Sequence, residues 1–303
     1  MKFTRPMKAA SLMPSDVPHT NENILAAMRK LRYPVMATLK MDGIRGVRAN
    51  GTLLSCQLKQ IPNVEVRNRA MKLPGGYDME LFNPDLPYND IESIVMSKEH
   101  PDSSLIQFHV LDDFAYDMPY DMRMQMLLLD RPAVENMHFR YPRFIFEPED
   151  LLAYFLCCEE QNGEGICFRT PDSPYKCGRS TLKEQYLVKL ARYARQEVRI
   201  IGFNEQFENG NGNKYNELGL MKRQTLGYKM YGKNTLGSFV VETLDKPRLI
   251  FTVGSGMSDK VRKMVWDAKS TFMGKLITIK HKPHGKKIKP RSPIFVGFRP
   301  KEI

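Results

Sequence analysis

The chain has 303 residues, 42% hydrophobic and 26% charged, an ordinary globular mixture that argues against wholesale disorder and suits about two domains. Its net charge of +12 is unevenly spread: residues 198–303 hold 21 basic and 8 acidic side chains, residues 1–197 hold 25 and 26. There is no apolar run of 18 residues, no apolar segment after Met1-Lys2-Phe3-Thr4-Arg5-Pro6 and no Cys-x-x-Cys pair among five cysteines. A membrane protein, a secreted protein and a zinc or disulfide scaffold are therefore disfavoured, and an intracellular chain is expected.

In chain order, residues 35–40 and 44–49 read as short strands joined by an Asp-Gly turn, and Asn50-Gly51 signals a hairpin into 52–55. A helix is expected from Asn63 to Lys72, stopping before Pro74-Gly75-Gly76, and then a strand over 77–82. Helical spacing recurs at 90–96 and 121–129, with a strand at 105–111 between them. Pro148-Glu149-Asp150 opens a helix that ends near Asn162-Gly163, followed by a strand over 165–169. Without a regular βαβ repeat, this predicts an α+β domain of antiparallel sheets and helices over 1–197.

From 198 onward, strands are expected at 198–203, 237–244, 248–253, 276–281 and 294–298, with a helix capped by Ser258 and running to about 272. Five short strands and one helix suit a small β-barrel of the OB type over 198–303. The run Glu208-Asn209-Gly210-Asn211-Gly212-Asn213 predicts a turn or mobile loop. The basic residues here include Lys222, Arg223, Lys286, Lys287 and Arg291. They make a polyanion the expected partner, held by its phosphates without reading of sequence.

Chemistry concentrates in the first domain. Lys40-Met41-Asp42-Gly43-Ile44-Arg45 closes a strand in a glycine turn. Burial and neighbouring cations lower an ammonium pKa, and the neutral amine can attack phosphorus. Asp42 is placed to orient that amine or an ion, and Arg45 offers a fork for phosphate or hydroxyl oxygens. In Asp78-Met79-Glu80 two carboxylates share one strand face. Glu164 precedes the apolar strand at 165–169, where it could face a metal or phosphate. The segment 175–183 is a basic, glycine-containing loop of the kind that cradles phosphate. Lys189 sits in an otherwise apolar strand, where a lysine without a role is uncommon.

In this order and spacing the elements resemble the covalent nucleotidyltransferases, which include DNA ligases, RNA ligases and RNA capping enzymes. The runs Gly178-Arg179-Ser180-Thr181-Leu182-Lys183 and Pro290-Arg291-Ser292-Pro293-Ile294-Phe295-Val296-Gly297-Phe298-Arg299 resemble in particular the minimal two-domain ATP-dependent DNA ligases of viruses and bacteriophages. The resemblance implies an adenylylation domain followed by an OB-fold domain. It also implies ATP with Mg²⁺ or Mn²⁺, nicked duplex DNA as partner, a monomer, and work in DNA replication, repair or recombination. Lys40, Asp42, Glu164 and Lys189 would be catalytic. Lys40 would take AMP from ATP, Glu80 would bind the ribose hydroxyls, and Arg45 would contact ribose and nick phosphate. Glu164 would organise the divalent ion, directly or through water, and Lys189 would neutralise the α-phosphate. Lys183 would complete the nucleotide-binding set, Arg179 would hold the nick's 5′-phosphate, and 204–236 would close around the DNA.

Three positions depart from that pattern. Cys56 stands where an Arg usually reaches the nick phosphate, with Lys59 placed to do part of its work. Ala191 replaces a second Lys, and Leu111 replaces an aromatic ring that often stacks on adenine, which leaves the stacking to Phe168. The same lysine chemistry would serve an RNA ligase or RNA guanylyltransferase, and a non-catalytic OB-type DNA-binding protein is the remaining reading.

Overall fold

The computed structural model describes residues 3–14, 17–129, 132, 134–161, 163–210, 214–215, 221–222, 229–282 and 289–299. The chain divides into two compact units, Met1–Arg192 and Tyr193–Ile303. The boundary expected after residue 197 therefore moves to 192. The reason is that Ala194–Asn209 is one continuous strand and cannot be split between units.

The N-terminal unit contains two five-stranded sheets. The first has the spatial order Ala10–Ser11, Val188–Ala191, Gly165–Arg169, Val35–Lys40, Arg143–Ile145. The second has the order Thr52–Ser55, Ile44–Ala49, Tyr77–Phe82, Gln107–Asp113, Met137–Phe139. Asn50 and Gly51, both at positive φ, make the tight turn expected between Ile44–Ala49 and Thr52–Ser55. Asn63 caps the helix Val64–Ala70 by accepting from the Val66 N–H at 3.0 Å. Its amide also donates to Ile94 O and Ser103 Oγ, so one side chain both starts the helix and ties it down. The helix Pro148–Glu160 begins on Pro148 with Glu149 and Asp150 in its first turn, as expected.

Each sheet buries one face on helices. Ile24, Met28, Leu151 and Phe155 pack with Val35, Ala37, Ile166 and Phe168 of the first sheet. Val66, Ile91, Tyr120 and Leu127 pack with Leu53, Met79, Leu81 and Phe108 of the second. The helix Asn21–Met28, capped by Thr20, and the short strands Met137–Phe139 and Arg143–Ile145 were not expected from the sequence.

In the C-terminal unit the strand order is Ile250–Val253, Met230–Thr243, Ala194–Asn209, Leu276–Lys282, Arg291–Phe298. The expected single helix is two, Asp259–Asp267 and Lys269–Phe272, because Ala268 leaves helical geometry at φ −120° and ψ 37°. The sheet curls, but no continuous ladder closes it among the described residues. An isolated bridge between Ser255 and Ile294 joins the edges, backed by the Phe295 N–H donating to Ser255 O at 2.9 Å.

Where it is described, the loop expected over 204–236 is largely a two-stranded ribbon. Glu205 pairs with Leu236, Phe207 with Gly232 and Asn209 with Met230. The pairing satisfies backbone groups that the local Asn and Gly content does not. A further pair, Lys214–Tyr215 with Met221–Lys222, continues beyond Gly210. The expected turn residues 211–213 lie outside the described residues.

Candidate active site

A cavity of about 340 Å³ opens between the two sheets of the N-terminal unit. Lys40, Cys167 and Lys189 line it from the first sheet, and Arg45 and Glu80 from the second. Its size is that of a small-molecule site.

Lys40 ends its strand opposite Gly165 in the register. The Glu164 N–H donates to Lys40 O at 3.1 Å, and this backbone clamp brings the Glu164 carboxylate into an ion pair with the Lys40 ammonium. Gly165, at φ 146°, makes the clamp possible, since a Cβ there would meet Leu190 O at 2.1 Å. Burial by itself pushes the Lys40 ammonium down. The pull of Glu164, helped by Cys167 and Glu80, outweighs it and holds the group above its usual range. The lowered lysine pKa expected from the sequence is thus reversed, because a carboxylate and not a cation is the nearest charge.

Asp78 and Glu80 share a face as expected, but they divide the work. Asp78 is spent on Arg45: the Arg45 Nε donates to Asp78 Oδ1 at 2.7 Å, and its Nη2 pairs with Oδ2. Tyr175 OH donates to the same carboxylate at 2.6 Å, and Arg45 Nη1 donates to Met7 O at 2.5 Å. Glu80 keeps its place beside Lys40. Burial raises its carboxyl to about 7, although Lys40 and Arg45 pull the other way. Gly43 allows this closeness, because a Cβ there would lie 2.5 Å from Leu81 O and 2.9 Å from Glu80 Cγ.

The apolar wall corrects one expectation. Phe168 is 1% exposed and belongs to the core of the first sheet, so it cannot stack on a ligand in the cavity. Side chains alternate along Gly165–Arg169, which sends Ile166 and Phe168 to the core and Cys167 and Arg169 to the cavity. Leu111 and Tyr120 line the cavity instead. The Tyr120 ring lies under the Arg169 guanidinium, 4.0 Å from it. Arg169 is held by buried Asp112 at 2.5 Å, which also accepts from Arg123 at 2.7 and 3.0 Å. Sequence reading missed Tyr120, although Tyr120, Arg123, Met124 and Leu127 are buried at helical spacing.

Arg179 and Cys56 also line the cavity, and both are exposed. Arg179 Nη1 donates to Ala9 O at 2.9 Å. Lys8 was another residue that sequence reading missed. Asp42, in the turn after Lys40, does not line the cavity, nor do the exposed Lys59 and Lys183. In this structure Lys183 is therefore not part of the nucleotide-sized cleft.

The family described as DNA ligase OB-like domain matches residues 229–299. The structure is similar to that of Chlorella virus DNA ligase-adenylate, with 26% identity, all of both chains covered and a TM-score of 0.54. It is also similar to a Lig E DNA ligase, with 21% identity, 88% of this chain and 92% of that chain covered and a TM-score of 0.65. The chain has the architecture of a minimal ATP-dependent DNA ligase. Among curated proteins, no sequence matches it.

On this ligase architecture the predicted DNA-binding residues are scattered. Arg291 opens the strand Arg291–Phe298 and pairs in register with Lys282. Lys222 lies in the ribbon, opposite Lys214. Arg223, Lys286 and Lys287 lie outside the described residues. Among the described residues no group of three His, Cys, Asp or Glu could hold a metal, and no helix is long and apolar enough to cross a membrane. All five cysteines are free thiols.

Proposed function

We propose that this protein is an ATP-dependent DNA ligase that seals 3′-hydroxyl/5′-phosphate nicks in duplex DNA through AMP carried on Lys40. The observation that carries the reading is Lys40 itself. It is a strand-end lysine flanked by Glu164 and Glu80 in a nucleotide-sized cavity, within a fold shared with a ligase-adenylate.

In the first step the Lys40 Nζ bonds to the α-phosphorus of ATP and the bond to the β-phosphate oxygen breaks, releasing pyrophosphate. Lys40 must shed a proton first, and neutralising Glu164 removes the pull that retains it. Glu80 is the acceptor for the ribose hydroxyls, and Leu111 forms part of the surface for the base. Lys189 meets the α-phosphate, and Arg45, fixed by Asp78, contacts the ribose and the nick phosphate. AMP then passes to the 5′-phosphate beside Arg179, and the 3′-hydroxyl displaces it. Positioning and charge neutralisation dominate such chemistry.

Mg²⁺ fits this donor set, since it takes one or two carboxylates plus substrate phosphates and keeps several waters. Glu164, beside Lys40, would hold it. Bound there, the ion would supply neutralisation of phosphate charge. The basic C-terminal unit grips duplex phosphates, with the segment 204–236 closing around the DNA. The protein acts as an intracellular monomer in replication, repair or recombination.

Incubation with α-labelled ATP or GTP tests the reading. Wild type is expected to form a lysyl-AMP adduct and to seal a nicked duplex, and Lys40→Ala to do neither while still binding DNA. A GMP adduct would point to capping chemistry, sealing of RNA alone to an RNA ligase, and no adduct with either nucleotide to a DNA-binding protein without catalysis.

A further inference from the structure

Besides Lys189, the cavity's cations fall into two groups. Lys40, Arg45 and Arg169 are each committed to a carboxylate, Glu164, Asp78 and Asp112 respectively. Lys8 and Arg179 are exposed and line the same cavity. They also lie side by side. The segment that carries Lys8 runs parallel to the loop that carries Arg179, and the two residues are bridge partners. The Lys8 N–H donates to Gly178 O at 2.6 Å, and the Ser180 N–H donates to Lys8 O at 2.8 Å. On either side of Lys8 the segment is pinned. The Met7 N–H donates to Tyr175 OH at 3.3 Å, Met7 O accepts from Arg45, and Ala9 O accepts from Arg179.

Two like charges held on adjacent strands repel, and the backbone gives neither residue freedom to separate. Such a pair facing a cavity is favourable when an anion sits between the two heads, since charge-assisted contacts to phosphate are strong. The Arg fork and the Lys point charge complement each other for a terminal phosphate carrying nearly two charges. Their exposure places them where a group arriving from outside is met, whereas the α-phosphate of ATP must reach the mostly buried Lys40.

We infer that Lys8, paired with Arg179, seats the 5′-phosphate of the nicked strand. The inference rests on the ligase reading and extends it to a residue that the sequence motifs did not include. Lys8 is a substrate-positioning residue for the AMP-transfer and sealing steps.

The test compares wild type, Lys8→Met and Lys8→Arg in two reactions: transfer of AMP from labelled ATP to Lys40 without DNA, and single-turnover sealing by pre-adenylylated protein. Binding to a duplex nicked with a 5′-phosphate or a 5′-hydroxyl is the third readout. Lys8→Met is expected to slow sealing by about tenfold or more, the loss of one charge-assisted contact, and to slow adenylylation much less. Its preference for the 5′-phosphate nick should shrink, and Lys8→Arg should retain both sealing and preference. Unchanged sealing in Lys8→Met would overturn the inference. So would a loss of adenylylation as large as the loss of sealing, or a Lys8→Arg protein that behaves like Lys8→Met. Failure of wild type to form lysyl-AMP would instead overturn the ligase reading and is seen before any variant is compared.

Discussion

The two units use charge in opposite ways. In the N-terminal unit the decisive charges are buried and matched: Arg123 and Asp112 are 0% and 1% exposed, and Asp78 is 2% exposed beneath Arg45. Among the described residues of the C-terminal unit, the pair Lys263–Asp267 is at the surface, both partners more than half exposed. Residues 193–303 nonetheless carry 22 basic side chains against 9 acidic ones. Buried, matched charge fixes geometry and contributes nothing to long-range attraction. Exposed, unmatched charge does the reverse, and salt screens it. The proposed activity needs both, and here they are segregated between the units.

The largest test of that contrast is a matched pair of substitutions. Asp112→Asn keeps the side-chain shape but leaves Arg123 and Arg169 buried without their counter-charge. It is expected to cost about 3–5 kcal/mol in urea unfolding at unchanged m-value. Asp267→Asn, which breaks the exposed pair with Lys263, is expected to cost about 0.5 kcal/mol or less. Equal costs would erase the distinction. Asp112→Asn should also raise the KM for ATP, because Arg169 over Tyr120 forms part of the cavity wall.

Much of this was legible locally. The strands Val35–Lys40, Ile44–Ala49, Thr52–Ser55, Tyr77–Phe82 and Gly165–Arg169 matched expectation because each is a run of β-formers bounded by turn residues. The placement of Phe168 was legible too: Ile166 and Phe168 share a parity, and Arg169 marks the polar face. Other features depend on pairing between distant segments. Glu164 reverses the lysine pKa only because Lys40 and Gly165 fall opposite each other, and Arg169 of the first sheet reaches Asp112 of the second. Residues 204–207, placed in a loop by the resemblance, and 208–209, by their Asn and Gly neighbours, are strand because Met230–Thr243 pairs with them.

A pH experiment sharpens the contrast within the N-terminal unit, where the carboxyls of buried Asp112 and half-buried Glu80 move in opposite directions. Burial opposes the charge on Asp112, but Arg169 and Arg123 outweigh it and hold the carboxyl below its usual range. Its contribution to stability is present above the ordinary value of 3.8 and is lost as pH falls below it. Glu80 is raised from 4.5 to about 7, so its protonated form favours the fold. That contribution is full below 4.5 and is lost as pH rises to about 7. The stability of wild type relative to Glu80→Gln should therefore decline across that window and stay flat above it. A flat difference throughout would show that Glu80 is not desolvated. Because the ribose hydroxyls need an ionised acceptor, ATP affinity should improve over the same window in wild type and not in Glu80→Gln.

The smallest expected effect probes the excess positive charge of residues 193–303. Lys286→Glu or Lys287→Glu removes a cation from the unit with the excess and replaces it with a repulsive charge. If that residue neutralises one phosphate, the slope of log K against log salt should flatten by about 1, with weaker binding to every duplex regardless of sequence. The lysyl-AMP reaction needs no DNA, so adduct formation should change far less than DNA affinity. Reversal at Lys30, an exposed lysine of the near-neutral N-terminal unit that does not line the cavity, is expected to leave the slope unchanged. An equal flattening from Lys30→Glu would mean that DNA affinity follows total charge, and the segregation of charge between the units would then have no bearing on how the protein holds its substrate.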